Sequence, residues 1–286
     1  MRCKMKTVRQ AINQVTFEVA ENNIKKESIQ AGVGGKENTL MSYFFKKILF
    51  FIGSFIVPII FFLAMTSYDI NQVPKSGRYL FITIFFIFIM VILLNVYVYF
   101  RMYRKTGFPY LNQFNFRLLA FLLLEISMTG YSSITILGSL NKYNPVLAVA
   151  ILLLYYLMVY RLVKVIIDTQ IYEELNKNYG TKYQIKNWKR LLSRFPIVLF
   201  IIIIIGMQGY RISKSYFIFT HVDSPLSMAY SIIGDTGVVL LAICVTLLPT
   251  ISFNSEIFVR GTLLKNYTEK FREKYKFTET EWYGEK

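Results

Sequence analysis

Residues 145–166 read PVLAVAILLLYYLMVYRLVKVI, and no charge appears before Arg161. At the 1.5 Å rise of an α-helix this run is about 33 Å long, close to the ~30 Å hydrocarbon core of a bilayer. A barrel strand of that depth would alternate apolar and polar residues, and this stretch does not. Where no water reaches, every backbone N–H and C=O must be paired inside the segment, which requires a helix.

Five further stretches of the same kind lie at 48–66, 79–100, 118–138, 196–217 and 229–251. The run at 196–217 is uniformly apolar from Phe195 to Ile205 and is then interrupted by Gly206, Gln208, Gly209 and Arg211. The composition agrees, since a chain that is 54% hydrophobic and still carries a net charge of +16 holds more apolar surface than a soluble core of this size absorbs. The expected fold is all-α, a polytopic bundle of six spans in three hairpins occupying residues 41–255.

Lys and Arg are distributed unevenly between the connections. Of the 33, 28 fall before the first span, in 101–117, in 161–195 and after the last span. The positive-inside rule therefore places both termini in the cytoplasm. The same flanking charge accounts for the basic pI, so no nucleic-acid partner is expected from the 161–195 segment. Richness in Ile, Phe, Lys, Asn and Tyr suggests an AT-rich genome, and the expected location is the plasma membrane of a low-GC bacterium.

Residues 1–40 are polar and lack the apolar core of a signal peptide. They read as a disordered or peripheral cytoplasmic tail, and Met41, directly before the first span, reads as an alternative start. Residues 256–286 read as an amphipathic cytoplasmic helix, with Leu264, Tyr267, Phe271 and Tyr275 on one face. A weak repeat aligns that segment with Leu175, Tyr179, Lys182, Tyr183, Ile185 and Trp188, so both segments are expected to be helices lying on the inner leaflet or docking a partner.

Ionisable and amide groups at membrane depth are costly, which makes them the candidate site residues. Glu125 lies roughly 12 Å from the inner end of its span, and Asn95 and Arg161 fall within about one turn of that depth, so an inner polar cluster is expected. Thr129, Ser132 and Ser133 continue the Glu125 face. Farther out, Arg211 and Asp235 reach comparable heights and read as an ion pair, flanked by Gly206, Gly209, Gly234 and Gly237, where the helices could break or approach closely. Pro58 and Pro249 should bend or end their helices, and His221 with Asp223 falls in an outer loop.

Cys3 and Cys244 stand far apart and His221 is the only histidine, so neither a disulfide nor a metal site is expected, and no cofactor. The absence of His-Glu-x-x-His and Gly-x-Ser-x-Gly argues against an intramembrane protease, and no enzyme activity is expected. A transporter, permease or channel subunit is the first reading. Without a Walker A loop, ATP-driven transport would need a separate cytoplasmic ATPase, whereas an ion-coupled carrier would use Glu125 or Asp235. The alternative is a non-transporting assembly, immunity or sensor component that binds another membrane protein.

Overall fold

The computed structural model describes residues 7–27, 29, 86–87, 89–98, 109–140, 145–218, 225–251 and 253–283. Helices α1 (Val8–Ile12) and α2 (Phe17–Asn23) come first, followed by the apolar helix α3 (Ile89–Val98). Four long helices follow: α4 (Pro109–Leu140), α5 (Pro145–Asn178), α6 (Asn187–Ile218) and α7 (Pro225–Ile251). Three short ones close the chain, α8 (Ser255–Asn266), α9 (Thr268–Tyr275) and α10 (Glu279–Tyr283). There is no strand among the described residues.

Three of these helices contain segments long and apolar enough to cross a membrane, at Leu118–Leu137, Val146–Asn178 and Ile232–Ile251. They coincide with the expected spans at 118–138, 145–166 and 229–251. The 196–217 span lies within α6, the 79–100 span is described only at 86–87 and 89–98, and the 48–66 span, with Pro58, lies outside the described residues.

Helix α3 runs antiparallel to α4. Val91 meets Gly130, Asn95 meets Ser127, and Val98 packs in one small cluster with Ala120 and Leu123, so the two sequences pair in opposite order. Gly130 is required here, because a Cβ would fall inside the contact radius of the Val91 methyl groups. A second apolar cluster joins α4, α5 and α7 through Ile136, Leu137, Ala148, Leu152, Val159, Ile243 and Leu247.

Helix α5 is 34 residues long, about 51 Å and well beyond the hydrocarbon thickness. It stops at Gly180, whose φ of +64° is the left-handed conformation that glycine adopts without Cβ strain. Its last turns carry Ile171, Tyr172, Leu175 and Tyr179 into a separate hydrophobic core. The rest of that core comes from the two chain ends: Ala11, Ile12, Val15, Ala20, Ile24 and Ile29 from one, Val259, Leu263, Leu264, Phe271 and Trp282 from the other.

The expectation of a disordered or peripheral tail is corrected for residues 7–27, which fold into this core, while residues 30–40 lie outside the described residues. A capping box starts α1, with Thr7 Oγ1 accepting from the Gln10 N–H and Gln10 Oε1 accepting from the Thr7 N–H. Phe17 of α2 stacks edge-on against Tyr267 and Phe271 at 5.7 and 5.0 Å between centroids. The Tyr267 and Tyr275 hydroxyls donate to the Val15 and Ile24 carbonyls at 2.7 and 2.8 Å, and Lys274 pairs with Glu21 at 3.0 Å.

The C-terminal expectation is corrected as well. Instead of one amphipathic helix over 256–286 there are three short helices. Asn254 caps α8, Lys276 ends α9 in the left-handed region, and a Thr278/Glu281 capping box starts α10. Its apolar face rests on α1 and α2. The aligned segment around Tyr179–Ile185 is not a helix: Asn176 holds it as an extended connection, bonding both backbone groups of Tyr183 at 2.8 Å. The two segments share a core and differ in conformation.

Phe271→Ala should destabilise this terminal core by about 3–5 kcal/mol, read as faster proteolysis after residue 253 and a lower melting midpoint in detergent. Gly130→Ala should cost about 1–3 kcal/mol by overpacking, and adding Val91→Ala should recover most of that loss in the same melting assay.

Candidate functional site

Successive residues of an α-helix are turned by about 100°, so Glu125 and Ser127 lie on nearly opposite sides of α4. Ser127 faces α3, where it accepts a hydrogen bond from Asn95 Nδ2 at 3.0 Å, and both residues are buried. Glu125 shares its face with Ser132, seven residues on. That face turns toward α5 and α7. The expected cluster of Asn95, Glu125 and Arg161 is therefore divided, with Asn95 of α3 against one face of α4 and Glu125 on another. Arg161 joins neither group, because it stands exposed on the outward face of α5.

Above Glu125 a chain of hydroxyls joins three helices. The Tyr155 hydroxyl lies 2.6 Å from Thr246 Oγ1, Thr246 Oγ1 lies 2.9 Å from Ser132 Oγ, and Ser132 donates to the Ala242 carbonyl at 3.0 Å. Thr246 Oγ1 also lies 2.8 Å from the Ala242 carbonyl, so its one proton has two acceptors, that carbonyl and Ser132 Oγ. Beside it, Ser133 donates to the Thr129 carbonyl at 2.6 Å and lies 2.8 Å from the Tyr156 hydroxyl. Bonds of this kind replace the water that a helix interface in lipid lacks.

Glu125 is the exception to this satisfaction. Its Oε1 is buried and has no hydrogen-bond partner among the described residues. The Tyr155 hydroxyl is within electrostatic reach of the carboxyl, and one turn earlier on α4 Phe121 packs edge-on against Phe253 at 5.3 Å. A second buried oxygen without a partner, Gln170 Oε1, lies at the same end of the bundle, where Gln170 Nε2 donates to the Thr250 carbonyl at 3.2 Å.

No protein-family model, curated protein or solved structure matches this chain. Three long apolar helices nevertheless make it consistent with a membrane protein.

The outer pair is only partly described. The Arg211 side chain lies outside the described residues, as do His221 and Asp223, while Asp235 is half-buried on α7. The expected helix breaks are corrected: α6 continues through Gly206 and Gly209, and α7 through Gly234 and Gly237. Close approach does not explain Gly206 or Gly209 either, since a Cβ at either meets nothing within 4 Å among the described residues. Pro249 sits inside α7, two residues before its end.

Sequence reasoning found Glu125, Asn95, Ser132 and Ser133 but missed Tyr155, Tyr156 and Thr246. The signal was present: a Tyr pair interrupts the apolar run at 155–156, and Thr246 is the first hydroxyl after Thr236 along α7. Cys244 is buried and free.

Thr246→Val keeps the shape and removes the middle hydroxyl. It should cost about 0.6–1.7 kcal/mol, the range of hydrogen bonds between membrane helices, in a detergent-unfolding assay. Combined with Tyr155→Phe the loss should be less than additive.

Proposed function

We propose that this chain is a multi-span transport subunit of the cell membrane in which Glu125 binds and releases a proton or a small cation. The observation that carries this reading is the buried Glu125 oxygen that has no partner among the described residues, beside a seam where the neighbouring hydroxyls are bonded. A carboxyl that only stabilised the bundle would be paired, because leaving a buried acceptor unsatisfied costs about 1–3 kcal/mol. Retaining it is intelligible if the missing partner is the transported or coupling ion.

The arrangement of the ends supports a topology with both termini in the cytoplasm. The two chain ends share one hydrophobic core, so they lie on one side of the membrane and the chain between them crosses an even number of times. Six crossings satisfy that condition. The Arg190–Glu173 pair at 3.0 Å brings the start of α6 to the same side as the end of α5. A cytoplasmic ATPase would dock on this side, and an ion-coupled carrier would need none.

The alternative of a non-transporting component rests on polar groups that satisfy one another, as the hydroxyl seam does, and on amphipathic faces open to a partner. Those around Tyr267, Phe271 and Tyr275 are covered by α1 and α2, which leaves the transport reading with more support.

Proteoliposomes given an imposed proton or sodium gradient and read by interior dyes should discharge it faster than empty vesicles. Glu125→Gln should return the rate to that of empty vesicles, and Glu125→Asp should keep part of it. Equal rates for wild type and Glu125→Gln would remove the reading.

A further inference from the structure

Arg161 takes no part in the seam, and its surroundings on the outward face of α5 suggest a different role. That face carries Leu153, Leu154 and Leu157 in exposed positions, then Tyr160, Arg161 and Lys164, also exposed. Residues 157, 160, 161 and 164 follow the i, i+3, i+4, i+7 spacing of one helical face. Along a single surface, an apolar wall passes through an aromatic ring into two cations.

The start of α6 adds to the same patch. Asp168, one turn beyond Lys164, is within electrostatic reach of both Lys164 and Lys189. The Lys189 Nζ lies 5.7 Å from the centroid of the Trp188 ring, and Trp188 is 53% exposed. Arg190 is engaged by Glu173. The face of α5 thus holds two exposed cations, Arg161 and Lys164, with Asp168 and Lys189 beside them among the described residues.

We propose that this patch is a binding site for an anionic phospholipid, with the phosphate headgroup held by Arg161 and Lys164 and an acyl chain lying along Leu157, Leu154 and Leu153. A guanidinium presents a planar fork that matches phosphate oxygens, and ammonium groups add point charges. Tyr and Trp are at home at headgroup level, with the ring in the apolar zone and the polar tip outside. The leucine wall selects a lipid over a free phosphate, because an inorganic anion gains nothing from it. Measured from Val146, Arg161 is about 22 Å and Lys164 about 27 Å along the helix, so both side chains can snorkel to the headgroup layer at the inner end of a ~30 Å core. That the lipid belongs to the inner leaflet rests on the cytoplasmic placement proposed above.

The test uses the full-length protein, purified in mild detergent and mixed with equal amounts of phosphatidylglycerol and phosphatidylcholine, with bound lipid counted by native mass spectrometry. Wild type should retain phosphatidylglycerol preferentially, and millimolar inorganic phosphate should not displace it. Arg161→Gln/Lys164→Gln should weaken that retention roughly 30-fold, at about 1 kcal/mol per charge removed, whereas Arg161→Lys/Lys164→Arg should keep it. Equal retention of the two lipids by wild type, or displacement by inorganic phosphate, overturns the proposal. So does unchanged preference in the charge-removing variant, with Lys164→Gln alone standing in if the double variant does not fold. The readout is independent of flux, so the site can fail while the transport reading stands, and the reverse.

Discussion

Helix α5 has to satisfy two environments with one uninterrupted backbone, and the rest of the molecule is arranged around that requirement. Its first five turns or so are apolar on nearly every side, so they pack Ala148, Leu152 and Tyr155 inward and leave large side chains facing outward. Its last three turns carry Asp168, Glu173, Glu174 and Lys177, and the apolar residues buried there are Ile171, Tyr172 and Leu175. A helix end that buries one side needs something to bury it against, since an apolar stripe left in water forfeits roughly 25 cal/mol per Å². The two chain ends supply that cover.

The same logic explains why the terminal core is assembled from short pieces. Helices of five to eight residues are not stable alone, because nucleation is not repaid over so few hydrogen bonds. Helices α1, α2, α9 and α10 exist because Phe17, Phe271 and Trp282 bury against a common centre and because capping side chains at Thr7 and Thr278 supply partners for the first N–H groups. Tyrosine is used there for its two ends: the ring enters the core while the hydroxyl bonds a backbone carbonyl left open between α1 and α2 or after α2.

Within the membrane-crossing part, the polar groups are treated in two ways. Hydroxyls are short, carry one proton each and can be satisfied by a neighbouring hydroxyl or an i−4 carbonyl, so Ser132, Ser133, Tyr155, Tyr156 and Thr246 knit three helices together. A carboxyl at the same depth needs a cation, a proton or several donors, and Glu125 has one oxygen with none of these among the described residues. That asymmetry, together with the exposed cations at the inner end of α5, separates the residues that hold the bundle from those proposed to meet something outside the chain.

Hydropathy in the sequence was enough to indicate helices and the position of three long apolar ones consistent with a membrane protein, because this depends on composition over some twenty residues and not on neighbours. The existence of Glu125 and Asn95 as polar residues inside apolar helices was legible for the same reason. Which of them meet was not: two positions on α4 separated by two residues point to opposite sides, and only the packing of α3, α5 and α7 determines what each side faces. The same holds for Arg161, whose depth is written in the sequence while its outward direction is a property of the bundle. The amphipathic stripe at Leu264, Tyr267, Phe271 and Tyr275 announced that some apolar surface would cover it, but a stripe carries no information about the identity of its cover. Tertiary structure supplied that answer by bringing residues 8–29 to it, a contact between segments some 250 residues apart that no local pattern encodes.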